Sequence, residues 1–219
     1  MKQKQIIEAI IKHRIIAIVR GASKDNILEI AEALYKGGIR LLEITFPYRM
    51  SDKYQQTSDM IQMVVKEFSD KLYVGAGTVM TTECVELAER AGAGFIISPD
   101  TNPDVIRKTK QLGLVSIPGA YTPTEIAKAI SAGADFVKLF PAVSAGYSYI
   151  KSILSPLKGV RLIATGGIDA ENCAEFIRCG CAGLGVGGKL VDLDAAARKQ
   201  YWELTETAEK MVNKIREAE

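Results

Sequence analysis

Short apolar, β-branched runs recur along this chain at a spacing that leaves room for one helix between each pair. IIAIV at 15–19, LLEIT at 41–45, LYVGAGT at 72–78 and GFIIS at 94–98 come first. LVSIP at 114–118, DFVKLF at 135–140, RLIAT at 161–165 and GLGVG at 183–187 complete the series. Most intervals close on a glycine signal, as in KGGIR at 36–40, RAGAGF at 90–95 and SAGADF at 131–136. Glycine just past a helix is the usual left-handed cap. The intervening segments carry a period of about 3.6, as in NILEIAEALYK at 26–36 and TEIAKAISA at 124–132. Runs that are apolar on both parities belong to parallel strands covered on both faces. Eight of them alternating with helices predict an α/β fold, the (β/α)8 TIM barrel. An open doubly wound sheet uses the same units and is the competing architecture. Eight strands fit the barrel more comfortably, and 219 residues sit at its compact end. An amphipathic helix around 2–13 is expected to close the bottom, and 201–219 to form a last helix on the outside. No linker or composition shift divides the chain, which predicts one domain over 1–219.

Composition excludes several classes. The chain is 47% hydrophobic and 25% charged, which argues against disorder and fibrous structure. A net charge of +2 without basic clusters gives no nucleic-acid footprint. No run approaches the roughly 18–20 apolar residues of a membrane span. The first residues, MKQKQIIEAIIKHR, lack the apolar core of a signal peptide. Four irregularly spaced cysteines read as reduced thiols, so a cytoplasmic location is expected. The single histidine, His13, weighs against imidazole-rich metal sites and against Ser–His or Cys–His chemistry. Cys179-Gly180-Cys181 is too tightly spaced for a zinc knuckle and reads as a buried thiol pair. GAGTVM at 75–80 lacks the dinucleotide spacing, and neither a metal nor a cofactor is indicated.

In a barrel, function collects where the strands end. Arg20, Thr78, Ser98-Pro99 and Lys189 stand at such ends, but two residues lie inside the runs. Lys138 sits between Val137 and Leu139, where burial makes an ammonium costly and a neutral amine accessible. A neutral lysine attacks carbonyl carbon to form a Schiff base. Glu43 sits in an equally apolar run, where a raised pKa suits proton transfer near neutrality. The plainer alternatives are a snorkelling lysine or a structural ion pair between the two. A buried Glu and a buried Lys at one end of the same barrel favour catalysis for both. The glycine pairs in ATGGI at 164–168 and GVGGK at 185–189 follow the last two strands. Loops there commonly cradle phosphate through backbone N–H groups, although either pair alone also suits a simple turn.

LLEITF, VGAGTV, FIISP, SIPGAYTPTE, VKLFPA, ATGGI and GVGG occur in the order found in the 2-keto-3-deoxy-6-phosphogluconate (KDPG) aldolases. The chain resembles that family, which includes 4-hydroxy-2-oxoglutarate (KHG) and 2-keto-3-deoxy-6-phosphogalactonate (KDPGal) aldolases, over roughly 5–215. The resemblance implies a metal-free class I aldolase, usually a homotrimer, acting on a small 2-keto acid. By that resemblance Lys138 forms the Schiff base and Glu43 is the general acid/base. Thr78 helps hold the pyruvate carboxylate, Pro99 and Phe140 line the pocket, and Gly166, Gly167, Gly187 and Gly188 contact phosphate.

Three positions depart from the family pattern. Pro47 stands where an arginine is frequent, so carboxylate binding is expected to fall to Arg49 or Arg20. Asp100 replaces a common glycine. Lys189 replaces a small hydroxyl residue, and suits either a phosphate or a second carboxylate. A phosphosugar isomerase or epimerase barrel is the alternative enzyme, and a keto-acid-binding barrel without turnover is the alternative outside catalysis.

Overall fold

The computed structural model describes residues 3–218, so Lys2 at the start of the first expected helix and Glu219 at the end of the last lie outside them. The strands are β1 (Ile15–Val19), β2 (Leu41–Thr45), β3 (Tyr73–Gly77), β4 (Phe95–Ile97) and β5 (Val115–Ile117). They continue with β6 (Gly119–Ala120), β7 (Val137–Leu139), β8 (Leu162–Thr165) and β9 (Gly183–Val186). The helices are α1 (Gln3–His13), α2 (Ile27–Lys36), α3 (Tyr54–Glu67), α4 (Thr82–Arg90) and α5 (Pro103–Gln111). After them come α6 (Pro123–Ser131), α7 (Ala142–Leu154), α8 (Cys173–Arg178), α9 (Leu193–Ala197) and α10 (Tyr201–Arg216).

Every pairing is parallel, in the order β5-β4-β3-β2-β1-β9-β8-β7-β6. The two ends of that order are one stretch of chain. Pro118, which has no N–H to donate, ends the fifth expected run; β5 before it pairs with β4, and a further segment just past it, β6, pairs with β7. Closure is carried across the break by the Pro118 carbonyl, which accepts the Lys138 N–H at 2.8 Å. Asp135 supports the same seam. Its Oδ2 accepts the Ser116 N–H at 2.8 Å and the Lys110 ammonium at 2.7 Å. The barrel expected from the sequence is present, nearly closed, with nine strand segments instead of eight.

Strand parity sorts the apolar residues into two cores. Outward-facing Ala17, Leu42, Val74, Val137, Leu162 and Leu184 pack against the ring of helices. Inward-facing Ile16, Leu41, Phe95, Val115, Phe136 and Ile163 fill the lower barrel, joined by Ile6 and Ile10 of α1. Those two side chains are 1% and 0% exposed, so α1 does close the bottom. Each contributes about 1.5–3 kcal/mol by leaving water. Helix α10 covers α2, where Gly37 permits contact with Ala208 and the Thr205 hydroxyl donates to the Ala33 carbonyl at 3.0 Å.

Candidate active site

Two polar side chains stand where the upper barrel would otherwise be apolar. Glu43 of β2 is 0% exposed and Lys138 of β7 is 5% exposed. In register, Glu43 lies beside Ile18 and Gly75, and Lys138 beside Gly119 and Ile163. Their strands are on opposite sides of the barrel, so the two groups face each other across its interior. Both Glu43 carboxyl oxygens are buried without a hydrogen-bond partner. Burial therefore pushes the Glu43 carboxyl above its ordinary range, against the opposing pull of Lys138 and Arg20. Burial likewise pushes the Lys138 amine below its ordinary range, opposed by Glu43 and helped by Arg20.

Glycines make this arrangement possible. A Cβ on Gly77 would overlap Oε1 and Cδ of Glu43, so the second glycine of GAG in β3 is the space the carboxylate occupies. A Cβ on Gly119 would overlap the Pro99 carbonyl, which brings the chain after β4 hard against β6. Thr78 follows Gly77 with φ of +55°, a left-handed backbone that a β-branched residue adopts at a cost of about 1–3 kcal/mol.

Lys138 opens into a cavity of about 280 Å3. Its walls hold Ile18, Arg20, Phe140, Thr165, Gly166, Gly167, Gly187, Gly188 and Lys189. The Lys138 ammonium lies 5.2 Å from the centre of the Phe140 ring, and Phe140 is 42% exposed at the mouth. Gly166 and Gly167 have φ of +95° and +79°. Added Cβ atoms there would press on Phe140 and Val143. Packing therefore accounts for that pair as well as anion binding does. Gly187 and Gly188 meet nothing within 4 Å of an added Cβ, so neither crowding nor a positive φ requires them. Every charged residue in this wall is a cation: Arg20, Lys138 and Lys189.

The sequence-predicted residues do not all converge. Arg20 stands in the wall of this cavity and in that of a neighbouring cavity of about 380 Å3, which also contains Thr78. Arg49 and Pro99 line neither one. The Arg49 guanidinium instead lies 5.1 Å from the Tyr48 ring centre, on a residue with φ of +55°. Asp100 has a buried Oδ1 without a hydrogen-bond partner, and burial raises its pKa. Thr165, a polar residue at a strand end to which the sequence reading gives no site role, is 5% exposed and lines the Lys138 cavity. Its place at the end of β8 with inward parity was the available signal. Cys179 and Cys181 are free and buried, and burial pushes the Cys181 thiol up to about 12. His13 is half-buried on α1, with its pKa lowered first by burial and then by nearby cations. Among the described residues no three His, Cys, Asp or Glu side chains gather as a metal site.

A parallel barrel with a buried amine and a buried carboxyl at the carboxyl end of its strands defines a barrel enzyme. The chain belongs to the KDPG and KHG aldolase family, whose model matches residues 6–207, and it is an aldolase, a carbon–carbon lyase. It is 36% identical over 177 residues to the 2-dehydro-3-deoxy-6-phosphogalactonate aldolase of Escherichia coli strain K12, covering 80% of this chain and 83% of that one. To the 2-dehydro-3-deoxy-phosphogluconate aldolase of Treponema pallidum strain Nichols it is 37% identical over 173 residues, covering 78% and 79%. A crystal structure of KDPG aldolase from Legionella pneumophila, with pyruvate captured as a covalent carbinolamine, superposes with a TM-score of 0.84. That protein is 26% identical, with 94% of this chain and 97% of the other covered.

Proposed function

We propose that this chain, as one catalytic domain over 1–219, cleaves 2-keto-3-deoxy-6-phosphogluconate to pyruvate and glyceraldehyde 3-phosphate through a Schiff base on Lys138. The observation that carries this reading is the buried, pKa-lowered Lys138 amine opening into a cationic cavity opposite an unpartnered Glu43 carboxyl. The amine attacks the C2 carbonyl and expels water to give an iminium. Glu43 takes the proton of the C4 hydroxyl as the C3–C4 bond breaks, and the bonding pair enters the iminium as an enamine. The aldehyde leaves. Glu43 returns its proton to C3, and water hydrolyses the resulting iminium to pyruvate and the free amine.

Arg20, assisted by Thr78, receives the keto-acid carboxylate, since Arg20 stands beside Lys138 and Arg49 is turned onto Tyr48. Lys189 and the Gly166-Gly167 and Gly187-Gly188 loops receive the phosphate. Phe140 and Pro99 shape the pocket. The reading includes a homotrimer in the cytoplasm, no nucleic-acid or membrane partner, and no cofactor. No helix among the described residues is long and apolar enough to cross a membrane.

The C4 epimer, 2-keto-3-deoxy-6-phosphogalactonate, is the second reading, favoured by the 36% identity to a relative named for it. KHG is a third substrate of the same chemistry. Pyruvate release coupled to lactate dehydrogenase, measured with both phosphorylated epimers and KHG, tests these readings together. The phosphogluconate substrate is expected to give the highest kcat/KM. No pyruvate from any of the three refutes the aldol reading of the site.

A further inference from the structure

Thr78, which supports the keto-acid carboxylate in the function proposed above, stands in the left-handed region with φ of +55°. A β-branched residue leaves that region unless its surroundings hold it there. Both of its chain neighbours are held. On one side the Gly77 carbonyl accepts the Phe46 N–H at 2.8 Å, and Gly77 keeps its register with Thr45 of β2. On the other side Val79 is tied twice to the end of β4. Its N–H donates to the Ile97 carbonyl at 3.2 Å, and its carbonyl accepts the Ser98 hydroxyl at 2.8 Å. The Ser98 N–H donates in turn to the Ile117 carbonyl of β5 at 3.3 Å, so the hydroxyl is carried by paired backbone. Ser98 is 3% exposed and Val79 0%, and removing the hydroxyl leaves a buried carbonyl short of its donor. Ser98 itself lines neither cavity at the carboxyl end of the barrel.

Of these bonds on the two sides of Thr78, only the one from Ser98 comes from a side chain. We propose that Ser98 is a positioning residue for the reaction: its hydroxyl pins the Val79 carbonyl and thereby keeps Thr78 left-handed, with the Thr78 hydroxyl presented to the keto-acid carboxylate. This role depends on Thr78 receiving the carboxylate as proposed above. Glu43 is not reached by it, because Gly77 is held from β2 and not from Ser98. A carboxylate carries the same charge in the bound substrate and in the transition state. Displacing Thr78 therefore weakens binding without slowing bond cleavage.

The test is pyruvate half-saturation in borohydride trapping, alongside kcat from the coupled pyruvate assay. It compares wild type, Ser98→Ala, Ser98→Thr, Thr78→Ala and the Ser98→Ala/Thr78→Ala double variant. Ser98→Cys, which keeps the size and a weak donor, is the milder replacement if circular dichroism shows Ser98→Ala unfolded. Thr109→Val is the stability control, since it removes an equally buried hydroxyl that donates to the Val105 carbonyl at 2.7 Å in α5. Ser98→Ala is expected to raise half-saturation about fivefold or more with kcat within about twofold of wild type. Ser98→Thr and Thr109→Val are expected to stay near wild type. In the Thr78→Ala background, Ser98→Ala is expected to add little, because it acts through Thr78. Unchanged half-saturation in folded Ser98→Ala or Ser98→Cys overturns the proposal, as does an equal rise in Thr109→Val or Ser98→Thr, or full additivity in the double variant. Half-saturation that Thr78→Ala leaves unmoved overturns the Thr78 assignment and this role with it, while the lyase reading stands. No adduct on wild-type protein removes that reading and the role together.

Discussion

Replacing Gly77 by alanine puts a methyl group where the Glu43 carboxylate already stands, overlapping Oε1, Cδ and Cγ. Glu43 has no way out. Its side chain is 0% exposed, and β2 is held to β3 in register from Leu41↔Tyr73 to Thr45↔Gly77. Either the carboxylate is displaced or the two strands part. Forcing an extra methyl into a packed interior costs about 1–3 kcal/mol. For a domain of this size that lowers Tm by about 2–12 °C. Displacing the acid/base group by about 1 Å costs on the order of 10²-fold in kcat. Lys138 lies on the opposite side of the barrel and keeps its surroundings, so pyruvate is still expected to be trapped on it. Differential scanning fluorimetry, the coupled pyruvate assay and borohydride trapping separate the three effects. A Gly77→Ala protein with kcat within twofold of wild type would falsify the assignment of Glu43 to proton transfer from the position Gly77 gives it.

Three further perturbations have directions fixed by the structure. Borohydride trapping of pyruvate should speed up with pH through a midpoint below the ordinary lysine value of 10.5, because burial lowers the Lys138 pKa. Since the Glu43 charge raises that pKa, Glu43→Gln should move the midpoint lower still; an upward move contradicts the electrostatic account. Asp135→Asn removes the carboxylate that joins Lys110 to the Ser116 N–H at the barrel seam. It should cost about 1–3 kcal/mol, a Tm drop of about 2–12 °C, with kcat little changed, and an unaltered melting curve counts against closure through this seam. Lys189→Ala should raise KM for the phosphorylated substrate several-fold more than KM for KHG, and equal effects on both would remove Lys189 from the phosphate subsite.

The strand and helix alternation was legible because each barrel strand is covered on both faces and each helix on one. Details fixed by single groups were harder to see. Pro118 closes the fifth apolar run, yet the chain past it forms a second short strand, so β5 pairs with one neighbour and β6 with another. Helix α9 is five residues long and is held by Asp192, whose Oδ1 accepts the N–H groups of Asp194 and Ala195, with no periodic apolar stripe to announce it. The sixth run began at Asp135 in sequence, but that residue turns its carboxylate to Lys110 and Ser116, so β7 starts at Val137.

At the site, Glu43 and Lys138 were visible as polar interruptions of apolar runs, and burial shows why such interruptions matter. The space Gly77 provides was not visible, because it depends on which side chain faces it across two strands. Arg49 was close enough in sequence to substitute for the arginine expected at 47, but its left-handed backbone and its stacking on Tyr48 turn it away from both cavities.

The most direct test of the account is borohydride reduction in the presence of pyruvate, followed by intact mass and peptide mapping. The account predicts one reduced pyruvyl group per chain, located on Lys138 and absent from Lys138→Ala. A protein that releases pyruvate from its substrate yet carries no adduct on Lys138, or carries it on another lysine, contradicts the Schiff-base mechanism built on this buried amine.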